Sequence, residues 1–268
     1  MTSEDSKASR PAVSGWLQEG FHRFLTPYLR RHFHSIAITR DSWNVSLIPE
    51  QEPLVVIANH PSWWDPLAAH YLNRRLFPQR QFFAPIDAAA LEQYRVFAKL
   101  GFYGVTMNST AGATAFLQQS RAILMSQGTS LWLTPEGRFA DVRDHAATLM
   151  PGTAHLCSRM QHGWVLPIAL EYAFWEERLP ECLCKIGTPL RISEHVDATK
   201  ADWQRLLTAR LRQTQTELSA AVVTRDSEAF ENILSGIRGA GILYDSMRRL
   251  KSLLTGTQFK ASHGEKLP

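Results

Sequence analysis

Asn59, His60 and Asp65 lie in the segment Leu54-Val-Val-Ile-Ala-Asn-His-Pro-Ser-Trp-Trp-Asp-Pro, and their types and spacing suit proton transfer. The apolar run reads as a buried strand ending near Ala58. It delivers Asn59 and His60 to the loop at its carboxyl end, the edge where open α/β folds bind ligands. Pro66 suits the first turn of a helix, which makes Asp65 the natural N-cap. The turn Pro61–Trp64 can then bring Asp65 back to the imidazole of His60. A carboxylate bonded to one ring nitrogen fixes the tautomer, leaves the other nitrogen free as a base, and stabilises the imidazolium formed on proton abstraction. A plain helix cap also accounts for Asp65, and the two roles are compatible. Ser62 as a nucleophile is disfavoured, because it lies two residues from His60 and outside any strand-turn-helix elbow. His60 and Asp65 have no evident further ligands, so no metal is expected.

A second polar loop follows another apolar run in Leu131-Trp-Leu-Thr-Pro-Glu-Gly-Arg. Gly137 permits close backbone approach to a ligand, while Glu136 and Arg138 can orient a polar acceptor or bind an anionic oxygen. A simple Pro-Glu-Gly surface turn is the alternative. A third segment, Leu166-Pro-Ile-Ala-Leu, is a strand containing a proline.

The elements that must position these loops alternate along the chain. Val45–Ile48, Leu54–Ala58, Gln81–Pro85, Gly104–Met107, Ser130–Thr134, Trp164–Glu171 and Leu183–Ile186 read as strands. Pro66–Phe77, Ala88–Leu100, Gly112–Ser126 and Gly152–Gln161 read as helices. Such alternation predicts an α/β domain over residues 40–195, with a mostly parallel central sheet flanked by helices. Residues 1–14 read as a disordered tail. Residues 15–38 carry apolar positions at helical spacing with His22, Arg23, Arg30, Arg31, His32 and His34 between them, a pattern for amphipathic helices that rest on a membrane. Pro27 is expected to divide them in two. Docking of the same stretch on its own core is the other reading. Residues 201–254 read as a C-terminal helical appendage of two long helices, Ala201–Val223 and Glu228–Leu254, the second with a basic end at Arg248, Arg249 and Lys251. Residues 255–268 read as a tail.

Composition narrows the function classes. The 268 residues are 44% hydrophobic and 20% charged, with a net charge of +4, proportions of a globular chain and not of a nucleic-acid coat. No run approaches the ~18–20 apolar residues that cross a bilayer. The first fifteen residues have no apolar core, so no cleavable secretion signal is expected. Cys157, Cys182 and Cys184 form neither a disulfide framework nor a CxxC pair, which points to a reducing compartment.

Taken together, the motifs resemble the glycerolipid acyltransferase superfamily, typified by the bacterial 1-acylglycerol-3-phosphate and lysophospholipid acyltransferases. Asn59, His60 and Asp65 match its NHxxxxD motif, and Pro135-Glu-Gly matches the core of its FPEGxR motif. Leu166-Pro-Ile-Ala-Leu is similar to its VPVAI-like strand, Gly152-Thr-Ala-His-Leu to its GAA-type helix start, and Ile186-Gly-Thr-Pro-Leu to its G-x-P-I segment. The resemblance spans about residues 40–195. It implies that His60 deprotonates an acceptor hydroxyl, which attacks the thioester of acyl-CoA or acyl carrier protein, with Asp65 supporting the histidine. Asn59, Trp64, Glu136, Gly137 and Arg138 would bind substrate. It further implies no resident cofactor, a lyso-lipid acceptor, a membrane lipid surface as partner, no nucleic acid, and peripheral residence on the cytoplasmic face of the inner membrane. Amides near Gly152 would face the oxyanion. Of Trp63 and Trp64, one is expected in the core and the other, taken as Trp64, beside the acyl channel or membrane.

Two departures bear on the acceptor. The family's G-x-x-F-x-x-R block ends here in Met107, and the arginine of its FPEGxR block is replaced by Phe139. Neither side chain can grip a phosphate as a guanidinium does. The expectation is therefore an acceptor other than glycerol 3-phosphate or lysophosphatidate, such as a lyso-phosphodiester, a lyso-amino-acid lipid or a glycosylated lipid. A noncatalytic lipid-binding scaffold and an acyl thioesterase remain the alternatives.

Overall fold

The computed structural model describes residues 10–236. Ser14 opens helix α1 (Gly15–His32), its hydroxyl accepting from the Leu17 N–H. The stretch before it, expected as a loose tail, is anchored at its end: Ser14 N donates to the Lys99 carbonyl at 3.0 Å, and Val13 packs on the core. α1 runs unbroken through Pro27, not as two helices. Pro27 is on the exposed side, so the carbonyl that loses its N–H partner faces water. Meanwhile Leu25 and Leu29 hold the opposite side in the core. The helical reading to residue 38 also fails. The chain turns at Phe33, and β1 (Ser35–Thr39) is a fully buried strand.

A short 3-10 turn replaces the strand expected at Val45–Ile48, because the Asn44 side chain accepts from Ser46 N and closes a local turn. β2 (Leu54–Ala58) follows, then α2 (Asp65–Leu76) and β3 (Gln81–Asp87). Two short helices, α3 (Ala88–Gln93) and α4 (Val96–Lys99), stand where one was expected. The register explains this. β4 (Phe102–Val105) pairs Phe102 with Ala84, so the chain must retreat only three residues along β3, about 10 Å. One continuous helix over that stretch would span about 20 Å and overshoot.

The remainder comprises α5 (Thr110–Leu124), β5 (Thr129–Leu133), α6 (Pro151–Cys157), β6 (Trp164–Ala173), β7 (Glu181–Ile186), the two-residue β8 (Leu190–Arg191), α7 (Lys200–Thr224) and β9 (Phe230–Ser235). Strand order is β4-β3-β5-β2-β6-β7-β1-β9, with β8 paired to β6. From β4 to β6 the pairs are parallel. β7 is antiparallel to β6, and β9 is antiparallel to β1. The expected class holds: an α/β fold on a mostly parallel sheet flanked by helices. β2 lies at its centre and buries both faces, Leu54 and Val56 in one core and Val55 and Ile57 in the other.

The first of the two C-terminal helices read from the sequence covers the domain. α7 opens with a reciprocal cap between Thr199 and Asp202 and buries Trp203, Leu207, Leu211, Leu218 and Val222 against the sheet and α6. The second long helix read over Glu228–Leu254 is contradicted at its start, where Phe230–Ser235 pair with β1 and cover an edge that would otherwise stand open. Its remainder, with Arg248, Arg249 and Lys251, lies outside the described residues.

Where β1 meets β7, Glu181 is buried, accepts from the Ser35 hydroxyl and lies close to Glu177. Burial, reinforced by Glu177, pushes its carboxyl up to about 7 from the ordinary 4.5. A raised carboxyl favours folding while protonated, so this contribution is complete below pH ~4.5 and is lost as pH climbs through ~7. Glu181→Gln should therefore flatten the fall in stability between pH 5 and pH 8, as read from urea midpoints across that range.

Candidate active site

All strands from β4 to β6 point their carboxyl ends at one edge, and β2 and β5 deliver both polar loops there. Where β2 ends, Asn59 continues the ladder with its side chain. Its Nδ2 donates to the Leu170 carbonyl at 2.9 Å, and its Oδ1 accepts from Leu170 N at 2.8 Å. An asparagine amide mimics a peptide unit, so pairing with β6 persists while the main chain turns away. Asn59 is buried and its side chain is committed to this bridge.

The backbone turns back on itself through Asp65 N, which donates to the Ser62 carbonyl at 3.1 Å. Asp65 is the first residue of α2 and not its cap; Trp64 holds the cap position without a side-chain cap bond. Freed from capping, the Asp65 carboxylate lies within the turn. Its Oδ2 is 2.6 Å from His60 Nδ1 and also accepts from Ser62 N at 3.0 Å. An ionised carboxylate only accepts, so Nδ1 is the donor in this contact and Nε2 is the nitrogen left uncommitted by it. The Asp65 side chain is 3% exposed and that of His60 20%: the carboxylate is sealed, and the ring reaches solvent.

Glu136 turns to the His60 backbone. Its Oε2 accepts from the His60 N–H at 2.8 Å, and the His60 carbonyl accepts from Ala140 N at 3.0 Å. The loop after β5 thus clamps the His60 peptide groups from both sides. Gly137 adopts φ +64°, and a Cβ there would lie 2.1 Å from Met150 Sδ, so both conformation and space require glycine. Arg138 is exposed and leans on Asp144 and the Phe139 carbonyl. Ser62 contributes its backbone to the turn, and its hydroxyl accepts from Trp64 N.

Two residues escaped the sequence reading. Arg212 of α7 donates to Glu136 Oε1, to Gln215 Oε1 and to the Ala147 carbonyl, each at 2.6 Å. The faint signal was a cation beside the apolar stripe of Leu207, Leu211 and Leu218. Tyr172 of β6 donates its hydroxyl to Asp65 Oδ1 at 2.7 Å. It follows Leu170 by two residues, so it shares the inward face, and that spacing was the available clue.

Apolar side chains border the loop after β5. The Phe139 ring is 4.5 Å from the imidazole and largely exposed. Met107 and Met150 flank Gly137, and both reach the surface. Trp64 is half-buried, packed among Tyr28, His32 and Phe33, and the exposed member of the pair is Trp63, at 64%. Gly152 sits against Phe116, 3.0 Å from a would-be Cβ, which explains the glycine by α5–α6 contact. Among the described residues no group of three or more His, Cys, Asp or Glu could hold a metal ion. Nor is any described helix long and apolar enough to cross a membrane.

Residues 41–171 match the Acyltransferase family model. The match supports the glycerolipid acyltransferase superfamily for this span and acyl transfer as its general chemistry. No curated protein matches the chain. The matched span contains His60, Asp65 and Glu136, but it stops one residue short of Tyr172 and excludes α1, α7 and β9.

Removing one member of a buried ion pair typically costs about 3–5 kcal/mol, because the other charge is stranded. Arg212→Met should lower stability on that order in urea unfolding. Adding Glu136→Gln in the same chain should recover part of the loss, which a double-mutant cycle reads directly.

Proposed function

We propose that this protein transfers a fatty acyl group from a thioester, acyl-CoA or acyl carrier protein, to a hydroxyl of a lyso-lipid or related lipid acceptor. The observation that carries the reading is the 2.6 Å contact of His60 Nδ1 with Asp65, which leaves Nε2 free at an exposed edge. In the proposed reaction Nε2 takes the acceptor's hydroxyl proton as the oxygen attacks the thioester carbonyl. The new ester C–O bond forms, the C–S bond breaks, and the departing thiolate takes the proton from the imidazolium. Asp65 stabilises that imidazolium throughout. The reaction needs no resident cofactor, since the thioester is already activated and the protein supplies a positioned base. His60→Ala should lower acceptor-dependent thiol release by about 10²–10⁴-fold. Release without any acceptor would instead favour a thioesterase, and no release with any acceptor a noncatalytic scaffold.

The acceptor we favour carries no phosphate monoester beside its hydroxyl: a lyso-phosphodiester, a lyso-amino-acid lipid or a glycosylated lipid. Phe139, Met107 and Met150 along the loop after β5 support this choice, and Arg138 already leans on Asp144. Fastest turnover with lysophosphatidate would overturn it. The working surface is a membrane, contacted peripherally at the cytoplasmic face of the inner membrane. Support comes from an aromatic chain that runs from exposed Phe24 through Tyr28 and Trp64 to exposed Trp63, with Arg30 and Arg31 in the last turn of α1. Burying one large apolar side chain contributes about 1.5–3 kcal/mol. Trp63→Ser should therefore weaken co-sedimentation with anionic phospholipid vesicles roughly tenfold or more, with unchanged thermal stability.

A further inference from the structure

We propose that Tyr172 is a positioning residue for the reaction, acting through Asp65 to set the basicity of His60. The proposal rests on the reading of His60 as the base and concerns how that base is tuned.

β6 makes the arrangement possible. Its parallel pairing with β2 ends at Ala58 opposite Ile168, yet the strand continues to Ala173, held by antiparallel β7. The overhang crosses above the catalytic turn and touches it at two points two residues apart: Leu170 through its peptide groups to Asn59, and Tyr172 through its hydroxyl to Asp65. The carboxylate is therefore held at both oxygens. Oδ2 serves His60 and Ser62 N, while Oδ1 serves Tyr172. This arrangement stops the carboxylate rotating away from the imidazole.

It also has an electrostatic consequence. Burial drives the Tyr172 phenol well above its usual range, so it stays protonated and donates. A donated hydrogen bond spreads the negative charge of Asp65 and weakens its hold on the imidazolium. Tyr172 thus keeps His60 less basic than the two-residue dyad alone would.

Other groups face this pair from the surrounding elements. Cys182 and Cys184 of β7 lie on the Tyr172 side and are buried. Glu136 meets the His60 amide and is neutralised by Arg212 of α7. His32 of α1 contacts Trp64. On the opposite faces stand Glu171, near Arg143 and Asp141, and Glu181, near Glu177. These groups are common to wild type and to a Tyr172 variant, so a comparison of the two isolates the phenol.

The test is an NMR titration of the His60 imidazole in the whole protein, its resonance assigned by its loss in His60→Gln. The comparison is wild type against Tyr172→Phe. Loss of the donor should raise the His60 midpoint by about half to one pH unit, since one unit corresponds to 1.36 kcal/mol. The acid limb of kcat/KM should move to higher pH by the same amount, with little change in KM. 3-Fluorotyrosine at position 172, a stronger donor of nearly the same shape, should move both the other way and serves if the phenylalanine variant does not fold. An unmoved or lowered midpoint in the phenylalanine variant, or an activity loss without displacement of the limb, overturns the proposal. Full turnover in His60→Ala would instead bring down the base assignment, and the titration still reports on the phenol separately.

Discussion

A single short contact, His60 Nδ1 to Asp65 Oδ2 at 2.6 Å, constrains much of what surrounds it. A carboxylate 3% exposed has lost nearly all its water and must be compensated by donors from the protein. Three are present, from His60, from the Ser62 backbone and from Tyr172, and they come from a turn and a distant strand. Each also fixes the direction of the carboxylate, so its desolvation and its orientation are met by the same bonds. The imidazole then has one nitrogen committed and one available.

The ring itself is held less by its own contacts than by its backbone. Glu136 takes its N–H, Ala140 supplies its carbonyl partner, and Asn59 beside it is sewn into β6. Glu136 can serve in this way because Arg212 offsets its charge. Two elements outside the matched acyltransferase span therefore reach the site, α7 through Arg212 and the end of β6 through Tyr172. α7 also covers one face of the sheet and β9 closes the β1 edge, so residues 172–235 are structural and site-forming at once.

Legibility differed sharply between the two kinds of feature. The central strands could be read because each is a short apolar run followed by a polar loop, and burial on both faces demands that composition. The His60–Asp65 pairing was legible because four residues of turn can hardly separate them. Asp65 as a cap was misread, since the choice between a nearby amide and a nearby imidazole depends on how the turn closes. β1 and β9 were missed for a related reason. Both carry apolar residues that suit helix or strand, and only the register with β7 and with each other decides the outcome.

Residue order alone therefore determined the α/β class, the two polar loops at the carboxyl edge and the neighbours His60 and Asp65, since these follow from local periodicity and short loop closure. Tertiary structure alone decided that Glu136 serves the His60 backbone, that Arg212 balances it, that Tyr172 holds Asp65, and that Trp63 rather than Trp64 is exposed. Those partners lie 76 and 107 residues apart in the chain for Glu136–Arg212 and Asp65–Tyr172. Contacts at such separation arise from how the sheet is stacked and covered, which no local pattern encodes.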